Sequence, residues 1–399
     1  MDRAAADNSS SLGSLASRLS LLVFIFLVNF ISRVILSPLL PKIENELVIS
    51  HAQAGSLFFL ISAGYLLGLL GSAFLASRLT HKATIIISSA GVGVALLVVC
   101  WADSLWPIRA GLLALGFAAG LYMPSAIATI TSLIAPAHWG KAIAVHELAP
   151  NLAFFTAPFI AESFLRFSTW RAAMGTLGAT SLCLSLTYLR FGRGGEFPGE
   201  SPVSGAFGVL ARTPAFWLMI ILFGLGVGAT VGIYAMLPLY LVSERHMDLT
   251  WANTVVAFSR SYAPISGLLG GWASDQLGPK RTMVISLVLT GIFTSLLGSS
   301  PDGWLNAIVL LQPMFAVWFF PAGFAALAMI TPSKARNLSV GFTVPFGFLL
   351  GGGVIPALIG VMGDAGSFAR GYAITGFMIL LAGLLALSLR LPADRTRVK

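Results

Sequence analysis

Three ionisable residues stand in stretches that otherwise carry no charge. Arg33 lies in NFISRVILSP (29–38), Arg260 in FSRSY (258–262), and Glu147 in the run after Gly140, with His146 beside it. A charge in hydrocarbon costs about 2.5 kcal/mol or more, so ionisable groups there are candidates for function rather than packing. Two buried guanidiniums facing one cavity repel unless an anion lies between them, and the planar fork of Arg matches carboxylate or phosphate geometry. Glu147 suits a different task. Burial would favour its protonated form and a nearby Arg the ionised one, an opposition that fits a proton switch, with His146 as a second candidate carrier. Tyr65, Tyr122, Tyr234, Asn253 and Tyr262 can supply hydrogen bonds that orient a bound anion. Aromatic residues at such places also serve simply as packing.

Those residues must be held by something, and the composition says what. Of 399 residues, 57% are apolar and 10% charged, with a mean hydropathy of +0.88. Soluble globular chains carry about 25% charged residues, so both a soluble protein and a disordered one are excluded. Twelve apolar segments can be read, at 19–41, 52–77, 83–101, 108–134, 142–165, 172–189, 216–241, 251–273, 282–297, 304–331, 338–362 and 368–389. Each is long enough, or nearly so, to cross about 30 Å of hydrocarbon as a helix. The first is too long for a secretory signal and lacks a small-residue cleavage site. The expected fold is therefore an all-α membrane protein of twelve transmembrane helices. On these spans Arg33 stands eight residues, about 12 Å, from one end of its helix, and Arg260 nine residues, about 13 Å, from the same side. Snorkelling to the surface or a structural ion pair are the competing explanations for each.

The net charge of +9 reports orientation rather than nucleic acid. With the N-terminus inside, sixteen of the 24 Lys and Arg fall in inner loops and tails, six in outer loops, and Arg33 and Arg260 within spans. The positive-inside rule then places both termini in the cytoplasm of a cell whose plasma membrane the chain crosses repeatedly. The organisation expected is a tail (1–18), a six-helix bundle (19–189), a Gly-, Pro- and Ser-rich linker (190–215), a second six-helix bundle (216–389) and a short tail (390–399). Cys100 and Cys183 both sit in apolar runs, which argues against a disulfide framework or a metal cluster. No nucleophile–base spacing or phosphate loop occurs, so an enzyme is the least favoured class and neither metal nor cofactor is expected.

The two halves repeat at an offset near 198. Gly68-Leu69-Leu70-Gly71 returns as Gly267-Leu268-Leu269-Gly270, Pro124 as Pro321, and Ala157-Pro158 as Ile355-Pro356. After the eighth span comes Gly271-Trp272-Ala273-Ser274-Asp275-Gln276-Leu277-Gly278-Pro279-Lys280-Arg281. Its glycines permit close helix approach and a tight turn, and Asp275 can accept from a neighbouring helix N-terminus. Lys280 and Arg281 hold the loop in the cytoplasm. This loop resembles the G-x-x-x-D-x-x-G-x-[RK]-[RK] gating loop of the major facilitator superfamily, and the resemblance extends over all twelve spans.

That resemblance implies two pseudo-symmetric bundles rocking about a central site. Trp170-Arg171 before the sixth span and Pro124 in the fourth are further family-like features. In the first half the matching loop is altered: Ser77 stands for the acid and Ala73 for the first glycine, with Arg78, Thr80, His81 and Lys82 keeping the basic character. Arg33 resembles the substrate arginine of the anion:cation symporter branch, although Ser32 replaces the usual Asp before it. Arg260 resembles the eighth-span arginine of monocarboxylate and oxalate transporters, although Val256 stands where an acid usually precedes it. The nitrate/nitrite branch also uses two arginines, in the second and eighth spans, and the second span here has none. The reading is a monomeric secondary transporter of a small organic anion, a carboxylate by preference, coupled to protons or another ion. The alternatives are a proton-driven exporter of drugs or lipophilic metabolites, against which the absence of a Gly-Pro signature in the fifth span weighs, and a non-transporting sensor, for which no soluble signalling domain is left.

Overall fold

The computed structural model describes residues 12–200, 212–331 and 336–391, with side chains from residue 19 onward except at 336 and 337. The outer parts of both expected tails and the middle of the linker (201–211) lie outside the described residues. Among those described, nineteen α-helices and no strand make twelve passages. The first passage is α1 (Leu12–Val34) and α2 (Leu36–Leu47), the second α3 (His51–Arg78), and the third α4 (His81–Cys100). The fourth is α5 (Leu105–Gly120) and α6 (Tyr122–Leu133), the fifth α7 (Trp139–His146) and α8 (Leu148–Phe167), and the sixth α9 (Trp170–Phe191). The second half runs α10 (Pro214–Val227) and α11 (Ile233–Ser243), α12 (Leu249–Phe258) and α13 (Ala263–Leu277), then α14 (Pro279–Ser299). It closes with α15 (Asp302–Ala316) and α16 (Phe319–Ile330), α17 (Arg336–Phe348) and α18 (Ile355–Asp364), and α19 (Phe368–Ala386).

Five of the seven interior breaks share one cause. The passages loosen near Ile35, Leu121, Glu147, Ser259–Tyr262 and Val317–Trp318, each two to five residues before Pro38, Pro124, Pro150, Pro264 and Pro321 respectively. Proline has no N–H for the carbonyl four residues back and its ring crowds that carbonyl, so the ladder opens there. In the eleventh passage, Pro356 follows a π-helical turn over Leu349–Val354. The seventh has its own π turn, Gly228–Gly232. The glycine-rich runs thus bend two helices of the second half where they pack on each other, so closely that a Cβ on Gly232 would collide with the Gly351 oxygen.

Eleven of the passages are continuous enough in length and apolarity to count as single membrane spans. The eighth is the exception, because it is interrupted at Arg260. An interrupted helix at membrane depth is tolerated where the freed backbone is buried or lines a cavity. The first passage also departs from expectation. It continues through Pro41 to Leu47, with Lys42, Glu44 and Glu46 inside the helix. Their charge is accommodated by neighbours, Glu44 by His51 at 2.9 Å and Glu46 by Trp170 and Arg171. Arg33 therefore lies fourteen residues from that helix end, about 21 Å rather than about 12 Å. That puts it well beyond the reach of snorkelling.

The halves meet on the side away from the linker. Asp364, at the end of the eleventh passage, accepts from Ser50 Oγ (2.7 Å) and from the backbone N–H groups of His51 (2.8 Å) and Ala52 (3.1 Å) at the start of the second. A carboxylate on a helix N-terminus is doubly favoured, by orphan donors and by the dipole. Thr250 donates to Glu162 (2.7 Å), Asn253 to the Pro38 carbonyl (3.4 Å) and Ser37 to the Tyr234 carbonyl (2.8 Å). The second and eleventh passages touch so closely that a side chain on Gly55 would begin 2.6 Å from the Pro356 oxygen. On the linker side, among the described residues, no hydrogen bond joins the halves.

Candidate functional site

Arg33 and Arg260 end up in one aromatic framework at the seam between the halves. The Arg33 guanidinium lies over Phe30 (4.5 Å) and Tyr65 (4.3 Å). Arg260, released from helical geometry by the Pro264 break, lies over Phe154 (4.9 Å) and Tyr234 (5.1 Å). Phe30 and Phe154 themselves meet edge to face at 5.2 Å. The two cations are thus linked by legs of 4.5, 5.2 and 4.9 Å, which bound their separation. Arg260 is held from both halves, since Phe154 belongs to the fifth passage. The π faces favour a cation, yet they neutralise no charge.

Neither guanidinium has a carboxylate within ion-pairing distance among the described residues. Both are buried, with Arg33 8% and Arg260 4% exposed. Arg260 Nη2 donates to the Thr230 carbonyl in the π turn (2.8 Å), while its Nε and the Nε of Arg33 have no partner. The Tyr262 hydroxyl and the Asn253 amide oxygen are also buried without partners. Buried donors of this kind are uncommon in a finished structural network and mark places where a ligand can bond. Beside Arg33 is a cavity of about 40 Å³ lined from both halves, by Phe30, Ser62 and Tyr65 on one side and Val231, Phe348 and Gly352 on the other. It holds a few waters at most. The Tyr65–Phe348 ring pair (5.2 Å) closes it toward the linker side.

The five orienting residues separate on inspection. Tyr65 and Tyr234 form the walls behind the arginines, and Tyr262 and Asn253 lie near the Arg260 break and the cross-half seam. Tyr122 is not brought to either arginine. Its hydroxyl donates to the Leu22 carbonyl (2.7 Å) and lies 3.1 Å from His146 Nε2, so it belongs with the histidine. Phe30, Phe154, Phe348 and the Thr230 carbonyl complete the site, and sequence reasoning singles out none of them. The position of Phe30, one turn before Arg33, is the one available signal.

His146 is fully buried, stacked on Phe26 at 4.4 Å. Glu147, expected to be desolvated, has a side chain 42% exposed. The Pro150 break turns it off the helix face that carries His146, so the burial argument passes to the histidine. The pair still forms a unit, with His146 Nδ1 3.4 Å from Glu147 Oε1. Proton counting follows from the bonds. Tyr122 spends its hydrogen on Leu22, so His146 Nε2 must donate to the Tyr122 oxygen. Nδ1 then faces the carboxylate, and the two repel unless one further proton lies between them, on Nδ1 or on Glu147. Phe26, which covers the imidazole, is one turn from Phe30 (6.1 Å), which covers Arg33.

The loop 271–281 also differs from expectation in part. Gly278 adopts φ +88°, the tight turn foreseen. Gly271 is not a point of close approach, having open space around it, whereas Gly270 packs on Trp318. Asp275 is exposed and, among the described residues, accepts no hydrogen bond from a helix terminus. Lys280 and Arg281 border a surface cavity. In the first half, Lys82 pairs with Glu196 of the linker (2.8 Å). The lysine holds that carboxyl below the usual range.

Comparison with known proteins gives a consistent result. The family model described as Major Facilitator Superfamily matches residues 22–264 and 250–399. The probable nitrate/nitrite transporter NarK2 of Mycobacterium tuberculosis is 25% identical over 368 residues, spanning 86% of this chain and 88% of its own. The probable sulfoacetate transporter SauU of Cupriavidus necator is 23% identical over 409 residues, 92% of each. Among solved structures, a bacterial homolog of the human lysosomal transporter Spinster, inward-facing and occupied, superposes with a TM-score of 0.79 at 16% identity, covering 93% of this chain and 96% of that one.

Proposed function

The chain belongs to the major facilitator superfamily, and from that premise we propose that it carries a small organic anion, bearing a carboxylate, across the plasma membrane by alternating access. The observation that carries the proposal is the pair of buried, carboxylate-free guanidiniums contributed by opposite halves with donor atoms unspent. A site assembled only when both halves approach is what alternating access requires. An anion would supply the missing negative charge and accept charge-assisted bonds from both forks. Relatives named for nitrate and sulfoacetate support an anionic cargo. An exporter of lipophilic compounds would have no use for two unpaired buried cations.

The positive-inside count assigns the linker side to the cytoplasm. The closed far side is then the outer gate, latched by Asp364, and the conformation is inward-facing with the site capped by Tyr65 and Phe348. Coupling is assigned to the His146–Glu147 pair, whose Nδ1–carboxylate contact needs a shared proton to be favourable. Loss of that proton leaves a lone pair against a carboxylate and drives Glu147 away, and the Phe26–Phe30 column ties that movement to the face on which Arg33 rests. Proton and anion would move in the same direction. A thermal-stability screen of the purified carrier tests the cargo class. Carboxylates or sulfonates should raise the melting temperature in a saturable way, whereas stabilisation by lipophilic cations alone would reject the anion reading.

A further inference from the structure

The repeat that relates the halves exposes a difference between them at the linker-side corner. In the first half that corner is filled by the chain itself. After α9 the linker folds back onto the start of α4, with Lys82 N–H donating to the Gly195 carbonyl (2.8 Å), His81 N–H to Phe197 (3.2 Å) and Gly199 N–H to Ala76 (2.8 Å). Glu196 then places its carboxylate 2.8 Å from Lys82 Nζ. At the repeat offset of 198, Lys82 corresponds to Lys280. Around Lys280 the described residues leave a cavity of about 850 Å³ between the ends of α13, α14, α16 and α19.

The lining of this cavity has a definite chemistry. Lys280 and Arg281 come from the start of α14 and Arg390 from beyond α19, and no acidic residue lines it among the described residues. None of the three cations makes an ion pair among the described residues. The walls are apolar, including Leu277, Met329 and Leu387. Leu277 and Leu387 are also exposed at the surface, as are Leu384 and Leu385 one turn back along α19, a strip that continues toward the bilayer. The sequence beyond Arg390 adds Arg395, Arg397 and Lys399 against the single carboxylate of Asp394, the repeat counterpart of Glu196. One tail carboxylate cannot balance this charge.

We propose that this cavity binds the phosphate headgroup of an anionic phospholipid of the cytoplasmic leaflet, which takes the place that Glu196 holds in the first half. Basic pockets among helices on that side of the membrane suit such headgroups, with about 1 kcal/mol per Lys or Arg near the surface. The cations bind the phosphate, and the leucine strip carries the acyl chains. The inference rests on the cytoplasmic assignment of the linker side and is independent of the Arg33–Arg260 site.

The test uses the full-length purified carrier and native mass spectrometry of retained lipid. Phosphatidylglycerol should be retained at least about tenfold more than phosphatidylcholine, and Arg390→Gln should lower retention about fivefold. Arg390 lies outside the gating loop, so anion stabilisation in the same preparation should stay intact and shows that the variant is folded. Equal retention of the two lipids, or wild-type retention by Arg390→Gln, overturns the proposal. Displacement of phosphatidylglycerol by millimolar inorganic phosphate would assign the site to free phosphate, contradicting the lipid source. Asp394→Asn should leave retention unchanged or raise it. A loss would mean that the tail carboxylate helps build the site, contradicting a headgroup held by the three cations alone.

Discussion

Replacing Arg260 with Gln separates a ligand site from a structural cation, because the two predict opposite stabilities. In the empty carrier Arg260 holds a positive charge 4% exposed, with no carboxylate near among the described residues, one bond to the Thr230 carbonyl and an orphan Nε. A charge buried without a counter-ion is unfavourable, and its removal should leave the empty protein as stable as wild type or more so. Gln ends two bonds short of Nη2, so the bond to Thr230 is lost, a cost set against the relief of the unpaired charge. The anion-bound state loses at least one charge-assisted bond, about 1.5–3 kcal/mol, which is about a 12- to 150-fold loss of affinity. Arg33→Gln should act alike, and Lys at either position should recover only part of the loss for want of the planar fork. Isothermal titration gives the affinity and a melting scan without ligand gives the stability. Unaltered affinity in both Gln variants, or a fall of several degrees in the empty melting temperature with affinity retained, would refute the two-arginine site.

Glu147→Gln keeps the geometry of the protonated acid, so anion-for-anion exchange should persist at about the wild-type rate while accumulation driven by a pH gradient disappears. His146→Ala should lose the same accumulation, and a Glu147→Gln carrier that still concentrates substrate would make that residue structural. Asp364→Asn removes the carboxylate on the second-passage N-terminus. Spin labels at the exposed Val48 and Trp251 positions should then show a longer-distance population on the far side, and an unchanged distribution would deny the latch. A cysteine at Ser201 of the linker should react with impermeant reagents only in inside-out vesicles, and labelling of intact cells would reverse the orientation.

Much of this architecture is carried by features a sequence displays openly. Apolar length marks the passages, and the spacing of Pro38, Pro124, Pro150, Pro264 and Pro321 accounts for five breaks, including the one that frees Arg260. The depth of Arg33 is misjudged from sequence because Lys42, Glu44 and Glu46 look like a loop. Their partners His51, Trp170 and Arg171 come from other passages and cannot be paired in advance. Phe30 and Phe154 are hidden for a related reason, since an aromatic in an apolar run gives no sign of lying beneath a guanidinium. Tyr122 goes to the wrong site because its role depends on the first, fourth and fifth passages meeting. Gly271 and Gly270 are neighbours in sequence, and only packing against Trp318 decides which one is closely approached.

Counterflow in proteoliposomes asks whether the two arginines carry an organic anion through the membrane. Vesicles preloaded with one unlabelled anion are diluted into a trace of its radiolabelled form, over a panel of carboxylates, sulfonates and inorganic anions. At least one small organic anion should accumulate transiently with wild-type carrier and fail to do so when both Arg33 and Arg260 are Gln. Counterflow of uncharged or cationic lipophilic compounds with no anion exchanged, or anion exchange that survives the double substitution, would contradict an anion carrier built on these two residues.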